Sequence, residues 1–359
     1  MRICVVAGMI DAKLHSKIEP LQNSTEVSEI LLVRRKTYAG DKIVLYKPPD
    51  ILVHSLLTAE IWRFCALIYI GIFKRPTVFI AFGTVPHGIY VWLIGKLLCI
   101  PVVQHVMGKN DLRLGLPDQY GQGLCLNAVI KSDLVAVRGD RMKSWFLEKG
   151  LLERKIFKPQ NIHDFSLFSP DDTIVKTHDL IYVGLLAPYK RVDVILRSFS
   201  TLCTQRPNST LLIVGDGPLR KDLQKLAESL SIADKVTFTG AKDYFELPDL
   251  YRLARVFVMT SLGDGLPMAM IEAMSCGLPA IVPNDADILE VAVNNVNALI
   301  VDTPTDIDYY DAIERLINDE VLYRELQGGA LQIREQYKKE YSLEFQTTLW
   351  TNALQTIRH

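Results

Sequence analysis

Residues 261–279 read Ser-Leu-Gly-Asp-Gly-Leu-Pro-Met-Ala-Met-Ile-Glu-Ala-Met-Ser-Cys-Gly-Leu-Pro. Asp264 and Glu272 stand here with seven residues between them. Gly265-Leu266-Pro267 is expected to open a helix running to Ser275. On such a helix the spacing is about two turns, so both carboxylates can address one side. A carboxylate among Met268, Met270, Ile271 and Met274 is costly to bury without donors. Sugar hydroxyls are suitable donors. The plainer alternative is a buried carboxylate that caps other loops.

Two further segments end a strand in glycine and begin a helix. Val183–Asp193 places Gly184 at the turn and Lys190 and Arg191 where the helix starts. A helix N-terminus presents unpaired N–H groups and the positive end of the helix dipole, which suits phosphate, and a lysine adds a point charge. A Lys-Arg pair at that position is also common on solvated surfaces. Val214–Arg220 repeats the pattern with Gly215 and Gly217 but lacks the third glycine of a dinucleotide fingerprint. It is expected to be a structural turn beside the site. Asp285-Ala286-Asp287 has the form of a metal-binding pair, yet loop structure is the better reading.

The elements that must position these residues follow from short apolar runs. Arg2–Ala7, Glu29–Val33, Val78–Phe82, Val102–Val106 and Leu134–Val137 read as buried strands, with a helix over 88–98. After the polar stretch 161–171 a second series begins. Strands are expected at 180–183, 210–214, 236–239, 256–260 and 280–282, and helices at 191–202 and 219–230. The last stretch, 311–359, reads as helical. Strands alternating with helices imply βαβ units and parallel sheets, so the fold class is α/β with two doubly wound domains. Such sheets bind ligands at the carboxyl ends of their strands.

Composition fits a globular enzyme-sized chain: 359 residues, 49% hydrophobic and 23% charged. The six cysteines form no CxxC pair, so buried free thiols are expected rather than a disulfide framework or a zinc site. Asp11 and Lys13 interrupt the N-terminal apolar stretch, which argues against a signal peptide and for the cytoplasm. Charge is uneven. The first 168 residues hold 22 Lys+Arg and 14 Asp+Glu, the remainder 18 and 27. A basic half invites an anionic partner: nucleic acid, an anionic membrane surface or a phosphate-bearing acceptor. Residues 61–73 are very apolar, too short to span a bilayer, and followed by Lys74-Arg75. They read as a core helix, or as one dipping into a membrane interface. Arg34-Arg35-Lys36 is a second basic cluster.

In content and order the chemical segments resemble the C-terminal domain of the family 4 (group 1) retaining glycosyltransferases of GT-B fold. The family's acidic–seven residues–Glu motif matches Asp264 to Glu272, with Asp for the commoner Glu. Its strand-Gly-loop-Lys motif matches Gly184 to Lys190, and its Gly-x-Gly-Pro turn matches Gly215 to Pro218. Its inter-domain Asn-x-x-Asp matches Asn161 and Asp164. The likeness is continuous over about residues 160–300 and weaker before.

The resemblance implies a GT-B fold, two Rossmann-like domains facing across a cleft. Residues 1–168 would bind the acceptor, joined by a returning helix at about 340–359, and 169–339 would bind the donor. The activity implied is retaining transfer of a sugar from a nucleotide-diphosphate donor, UDP- or GDP-linked, to a glycan or lipid-linked acceptor, without metal, cofactor or nucleic acid. Glu272 would hold the ribose, Asp264 and the amides after Gly265 the sugar hydroxyls, and Lys190 the diphosphate. Leu185, Arg191, Gly215, Gly240, Leu266 and Pro267 would complete the donor site with Gly184. Gly8, His15, His87, His105 and Gly108 are the acceptor-side candidates. Two departures stand out: Leu185 replaces the family's usual Arg, and Met107 replaces its usual His. Leu185 keeps a non-catalytic binding subunit in view, which Asp264 and Glu272 oppose. A sugar-nucleotide epimerase is a further reading.

Overall fold

A computed structural model describes residues 1–9, 11–53, 55–107, 112, 118–262 and 266–357. The chain divides into two compact units, Met1–Ile162 with Glu340–His359, and His163–Lys339. The division falls after Ile162 rather than after residue 168.

The first unit runs β1 (Arg2–Ala7), α1 (Asp11–Asn23), β2 (Glu29–Val33), β3 (Ile43–Tyr46), α2 (Asp50–Val53), α3 (Leu56–Tyr69), β4 (Val78–Phe82), α4 (Ile89–Leu98), β5 (Val102–Val106), α5 (Asp118–Ile130), β6 (Leu134–Val137), α6 (Asp140–Glu148) and β7 (Ile156–Phe157). Its seven strands lie in the order β3-β2-β1-β4-β5-β6-β7 and pair in parallel. Parallel strands buried on both faces read as unbroken apolar runs rather than alternating ones. That is why Val78–Phe82 and Val102–Val106 stood out, and both are buried along their whole length.

The second unit runs β8 (His178–Val183), α7 (Val192–Gln205), β9 (Leu211–Val214), α8 (Arg220–Ser229), β10 (Val236–Gly240), α9 (Leu247–Arg252), β11 (Ala254–Val258), α10 (Met268–Ser275), β12 (Ala280–Pro283), β13 (Ala298–Val301), α11 (Asp306–Asn318) and α12 (Glu320–Tyr337). Six parallel strands take the order β10-β9-β8-β11-β12-β13. The last helix, α13 (Leu343–Gln355), belongs to the first unit and packs on α1. Its Trp350 is buried and stacks edge-on to Phe157 at 5.0 Å and Phe82 at 6.2 Å.

Several sequence expectations change. The edge strands β3, β7 and β13, of four, two and four residues, were not among the expected strands. The C-terminal stretch is helical, as expected, and is divided into three helices because Asp319 and Ser342 each cap a new start by accepting an amide bond. Cys4, Cys125, Cys203 and Cys276 are buried, but Cys65 and Cys99 are exposed. Arg34 is only 2% exposed and hydrogen-bonds the Met9 carbonyl, so Arg34-Arg35-Lys36 is not a uniform surface cluster.

Candidate active site

In each unit the strand order reverses once, between β1 and β4 and between β8 and β11. Loops leaving the carboxyl ends on either side of such a point diverge, and the gap between them is where open α/β sheets receive ligands. In the second unit the two loops are the segment from Gly184 to Arg191 and the segment from Thr260 to Pro267. The segments picked out by sequence therefore flank the reversal.

The first loop is held by backbone. The Gly184 amide donates to the Val214 carbonyl at 2.9 Å and the Leu186 amide to the Asp216 carbonyl at 3.0 Å. This presses the Gly184 turn onto the Gly215-Asp216-Gly217 turn. A Cβ on Gly215 would stand 1.9 Å from the Gly184 carbonyl oxygen, and one on Gly217 2.4 Å from that of Leu186. These two glycines are required by close approach of backbones. Gly240 ends β10 at φ +78 and accepts the Gly215 amide at 2.9 Å. Gly215, Gly217 and Gly240 thus shape the floor beneath the Gly184 loop.

From Gly184 the chain passes an exposed Leu185 and a short 3₁₀ turn, Pro188–Lys190, before α7. Helix α7 starts at Val192, one residue later than the sequence pattern suggested, because Arg191 takes the left-handed conformation at φ 52. The Thr260 hydroxyl, just past β11, reaches the carbonyls of Lys190 at 2.7 Å and Arg191 at 2.9 Å. Thr260 is fully buried. Its bond ties the cationic turn across the strand reversal. Lys190 Nζ lies 5.2 Å from the Tyr189 ring centroid. The Arg191 guanidinium donates to the Pro304 carbonyl at 2.8 Å, so Arg191 braces the loop before α11.

Glu272 sits on α10, which opens at Met268 after Pro267 and not at Gly265. The helical spacing inferred for Asp264 and Glu272 therefore applies only from Met268 onward. Asp264 and Gly265 lie outside the described residues. Leu266 and Pro267 are buried beneath the helix start. The Glu272 side chain is 8% exposed, and Oε2 accepts a 2.9 Å bond from the Tyr251 hydroxyl. Burial first, then the Glu272 carboxylate, pushes the Tyr251 phenol well above its usual value, so it stays a donor. The same two causes raise Tyr244. His163 donates through Nε2 to Ser275 Oγ at 3.2 Å, while that hydroxyl donates to the Ile271 carbonyl at 2.6 Å. Burial pushes the His163 ring down to about 4, so it is neutral. Asp164 caps its own loop, accepting the amides of Ser166 at 2.8 Å and Leu167 at 3.1 Å. Asp285 likewise accepts the Asp287 amide at 3.0 Å. Among the described residues no group of three or more His, Cys, Asp or Glu is placed to hold a metal.

In the first unit the described acceptor-side candidates fall into separate sets of contacts. Gly8, after β1, touches His87, after β4: a Cβ on Gly8 would stand 2.5 Å from His87 Cε1. Arg63 donates to His87 Nε2 and pairs with Glu60. Burial, opposed by Glu60, lowers the His87 pKa. Accepting at Nε2, a neutral ring carries its proton on Nδ1. His105 is 1% exposed, and its Nδ1 lies 3.2 Å from Lys17 Nζ, which also donates to Asn161 at 3.1 Å. Burial and the Lys17 charge hold His105 well below its usual pKa. His15 is exposed and bonds Glu19 at 3.3 Å and Tyr38 at 3.2 Å. Gly108 lies outside the described residues.

Sequence reasoning missed Tyr251 and Thr260. Nothing in local spacing marks them, since each acts on a residue that is distant in the chain. Tyr251→Phe removes a donor from a buried carboxylate, and we expect it to lower the free energy of unfolding by about 1–3 kcal/mol. Denaturant titration checks this, and an unchanged midpoint and slope would mean that other groups hold Glu272.

A profile of the family described as glycosyl transferases group 1 matches residues 168–332. The alpha-D-kanosaminyltransferase of Streptomyces kanamyceticus is 25% identical over 280 residues, 69% of each chain. The GDP-mannose-dependent alpha-(1-6)-phosphatidylinositol monomannoside mannosyltransferase of Mycobacterium tuberculosis is 31% identical over 147 residues, 39% of this chain and 38% of that one. The chain thus spans well under half of the latter relative. Among solved structures, HepE of Anabaena in complex with UDP-glucose superposes with a TM-score of 0.81 at 14% identity, covering 99% of this chain and 100% of that one. Sucrose-phosphate synthase from Thermosynechococcus elongatus gives 0.79 at 15% identity, with 99% of each chain covered. Residues 168–332, which enclose both loops of the strand reversal, match the group 1 glycosyltransferases, and the whole chain shares the GT-B fold of these solved structures.

Proposed function

We propose that the chain transfers a sugar from a nucleoside-diphosphate sugar to a hydroxyl of a glycan or lipid-linked acceptor, with retention at the anomeric carbon and without a divalent metal. The observation that carries this reading is the Thr260 hydroxyl bonded to the Lys190 and Arg191 carbonyls at 2.7 and 2.9 Å. It fastens a cationic turn to the end of β11, whose following loop leads to Glu272. Lys190, which we assign to the diphosphate, and Glu272, which we assign to the ribose, follow β8 and β11, the two strands at the reversal.

Breaking the bond from the anomeric carbon to the diphosphate puts growing negative charge on the leaving group. Pre-placed positive groups stabilise that charge more than the ground state. Lys190 and the amides opening α7 supply them. The acceptor oxygen then bonds the anomeric carbon on the face the diphosphate leaves, and its proton passes to a diphosphate oxygen. Asp264 and the amides opening α10 would hold the sugar hydroxyls, and Glu272 the ribose. UDP is the first nucleotide to test because HepE was solved with UDP-glucose, and GDP is the second because the mycobacterial relative uses GDP-mannose.

The exposed Leu185, in place of an Arg, favours a binding subunit as the second reading. Incubating donor without acceptor separates the readings. A transferase slowly releases free sugar, a binding subunit releases none, and an epimerase yields an epimeric donor.

Three outcomes are expected. Glu272→Ala should weaken nucleotide binding by about 1.5–3 kcal/mol, roughly ten- to hundred-fold in Kd. Equal affinities of mutant and parent in titration calorimetry would remove Glu272 from the ribose. Lys190→Ala should lower kcat by about 100-fold while leaving the thermal midpoint in place. A near-parental rate would move the neutralising role to another cation. Turnover should persist in excess chelator, and loss that Mg²⁺ or Mn²⁺ restores would contradict the metal-free scheme.

A further inference from the structure

Helix α3 turns one face to the first sheet, and the other face is also apolar. Leu67 and Ile70, in the turn that follows α3, are buried in a cluster with Cys4, Leu31, Phe79 and Ala81. On the opposite side Leu57 is 70% exposed, Ile61 56%, Tyr69 47% and Phe73 69%. These positions recur at intervals of four, with exposed Cys65 completing the row, so they form one stripe along the helix and the turn that extends it. A helix on water normally presents charge there.

Helix α4 repeats the arrangement. Val91 and Ile94 are buried in the same cluster, while Leu93 and Leu97 are 51% and 75% exposed. The two helices adjoin: Phe64 and Tyr90 stack edge-on at 5.6 Å, and a Cβ on Gly71 would lie 2.3 Å from Leu98 Cδ1. Both cover one side of one sheet, so their outward stripes face the same way and merge into an apolar face. Monomeric proteins rarely leave such a face uncovered without a use for it.

Charge says what covers it. Between residues 55 and 100 the sole acidic residue is Glu60, which is paired with Arg63. Lys74 and Arg75 follow the end of the α3 stripe, and Lys96 is exposed beside Leu97. Lys131 lines the same concavity as Lys96, where Asp133 already accepts the Val102 amide at 2.8 Å. An apolar face with a cationic end and no unpaired acid complements an anionic bilayer. The side chains enter the acyl boundary, and the lysines and arginine meet headgroup phosphates. No helix among the described residues is long and apolar enough to cross a membrane.

We infer that the outward face of α3 and α4 is a docking surface for an anionic lipid bilayer, on which the protein lies without spanning. This goes beyond the transfer chemistry and is read independently of it.

The test is sedimentation of the full chain with vesicles of phosphatidylcholine mixed with phosphatidylglycerol. We expect binding that weakens with added salt and with removal of phosphatidylglycerol. The variant Leu57→Asn with Phe73→Asn and Leu97→Asn should partition at least about tenfold less while keeping the parental thermal midpoint. Lys74→Glu with Arg75→Glu should lose binding at low salt. Failure to bind anionic vesicles at low salt, or equal partitioning of parent and both variants, overturns the inference. So does a dimer in light scattering that Leu97→Asn dissolves, which would make a second copy the occupant.

Discussion

A parallel sheet that reverses its winding must send two neighbouring loops in opposite directions, and something has to hold them near one another. In the second unit that is the buried Thr260 hydroxyl, which bonds the Lys190 and Arg191 carbonyls across the reversal. A buried hydroxyl pays a desolvation penalty unless it is bonded, so the residue at the end of β11 and the turn before α7 each depend on the other. The left-handed Arg191 lets the chain leave this contact directly into a helix. The glycine turns follow from the same crowding. Gly184 can pass over Gly215 and Gly217 only because neither carries a Cβ.

Burial sets the charge state of the surrounding groups. The histidines of the first unit's interior, His87 and His105, are both held below their usual pKa, so near neutral pH they act as hydrogen-bonding rings rather than cations. Positive charge there comes from Lys17 and Arg63, which are buried and engaged with those rings. In the second unit the buried carboxylate, Glu272, keeps a phenol donor whose own ionisation it suppresses. His87, His105 and Glu272 thus each bond an ionisable neighbour, Arg63, Lys17 and Tyr251 respectively.

The two units put their apolar material to different ends. In the second, the helices bury one stripe and expose charge, as α7 and α8 do with Arg197, Lys221 and Lys225 on their outer sides. In the first, α3 and α4 carry apolar side chains on the outward face as well as on the buried one. The sheet covers only the inner of these faces.

Much of the fold could be read from the chain alone. Short apolar runs bounded by Gly and Pro located most of the strands, because strands buried on both faces must be apolar throughout. The order of the glycine turns, Lys190 and Glu272 was legible because loops at strand ends are built from local sequence. Other features came only with tertiary structure. The edge strands β3 and β7 take their pairing from a neighbour, and the start of α10 at Met268 depends on how Leu266 and Pro267 are buried. Tyr251 and Thr260 gain their roles from partners that are remote in the chain. High apolar content marked residues 61–73 as a helix, yet it could not say which side would be covered. A helix apolar on both faces has no preferred orientation until a sheet is packed against one of them. The chain therefore determined which residues are apolar or chargeable, and the packed sheets decided which of those meet water, which meet each other, and which carbonyls a single threonine can reach.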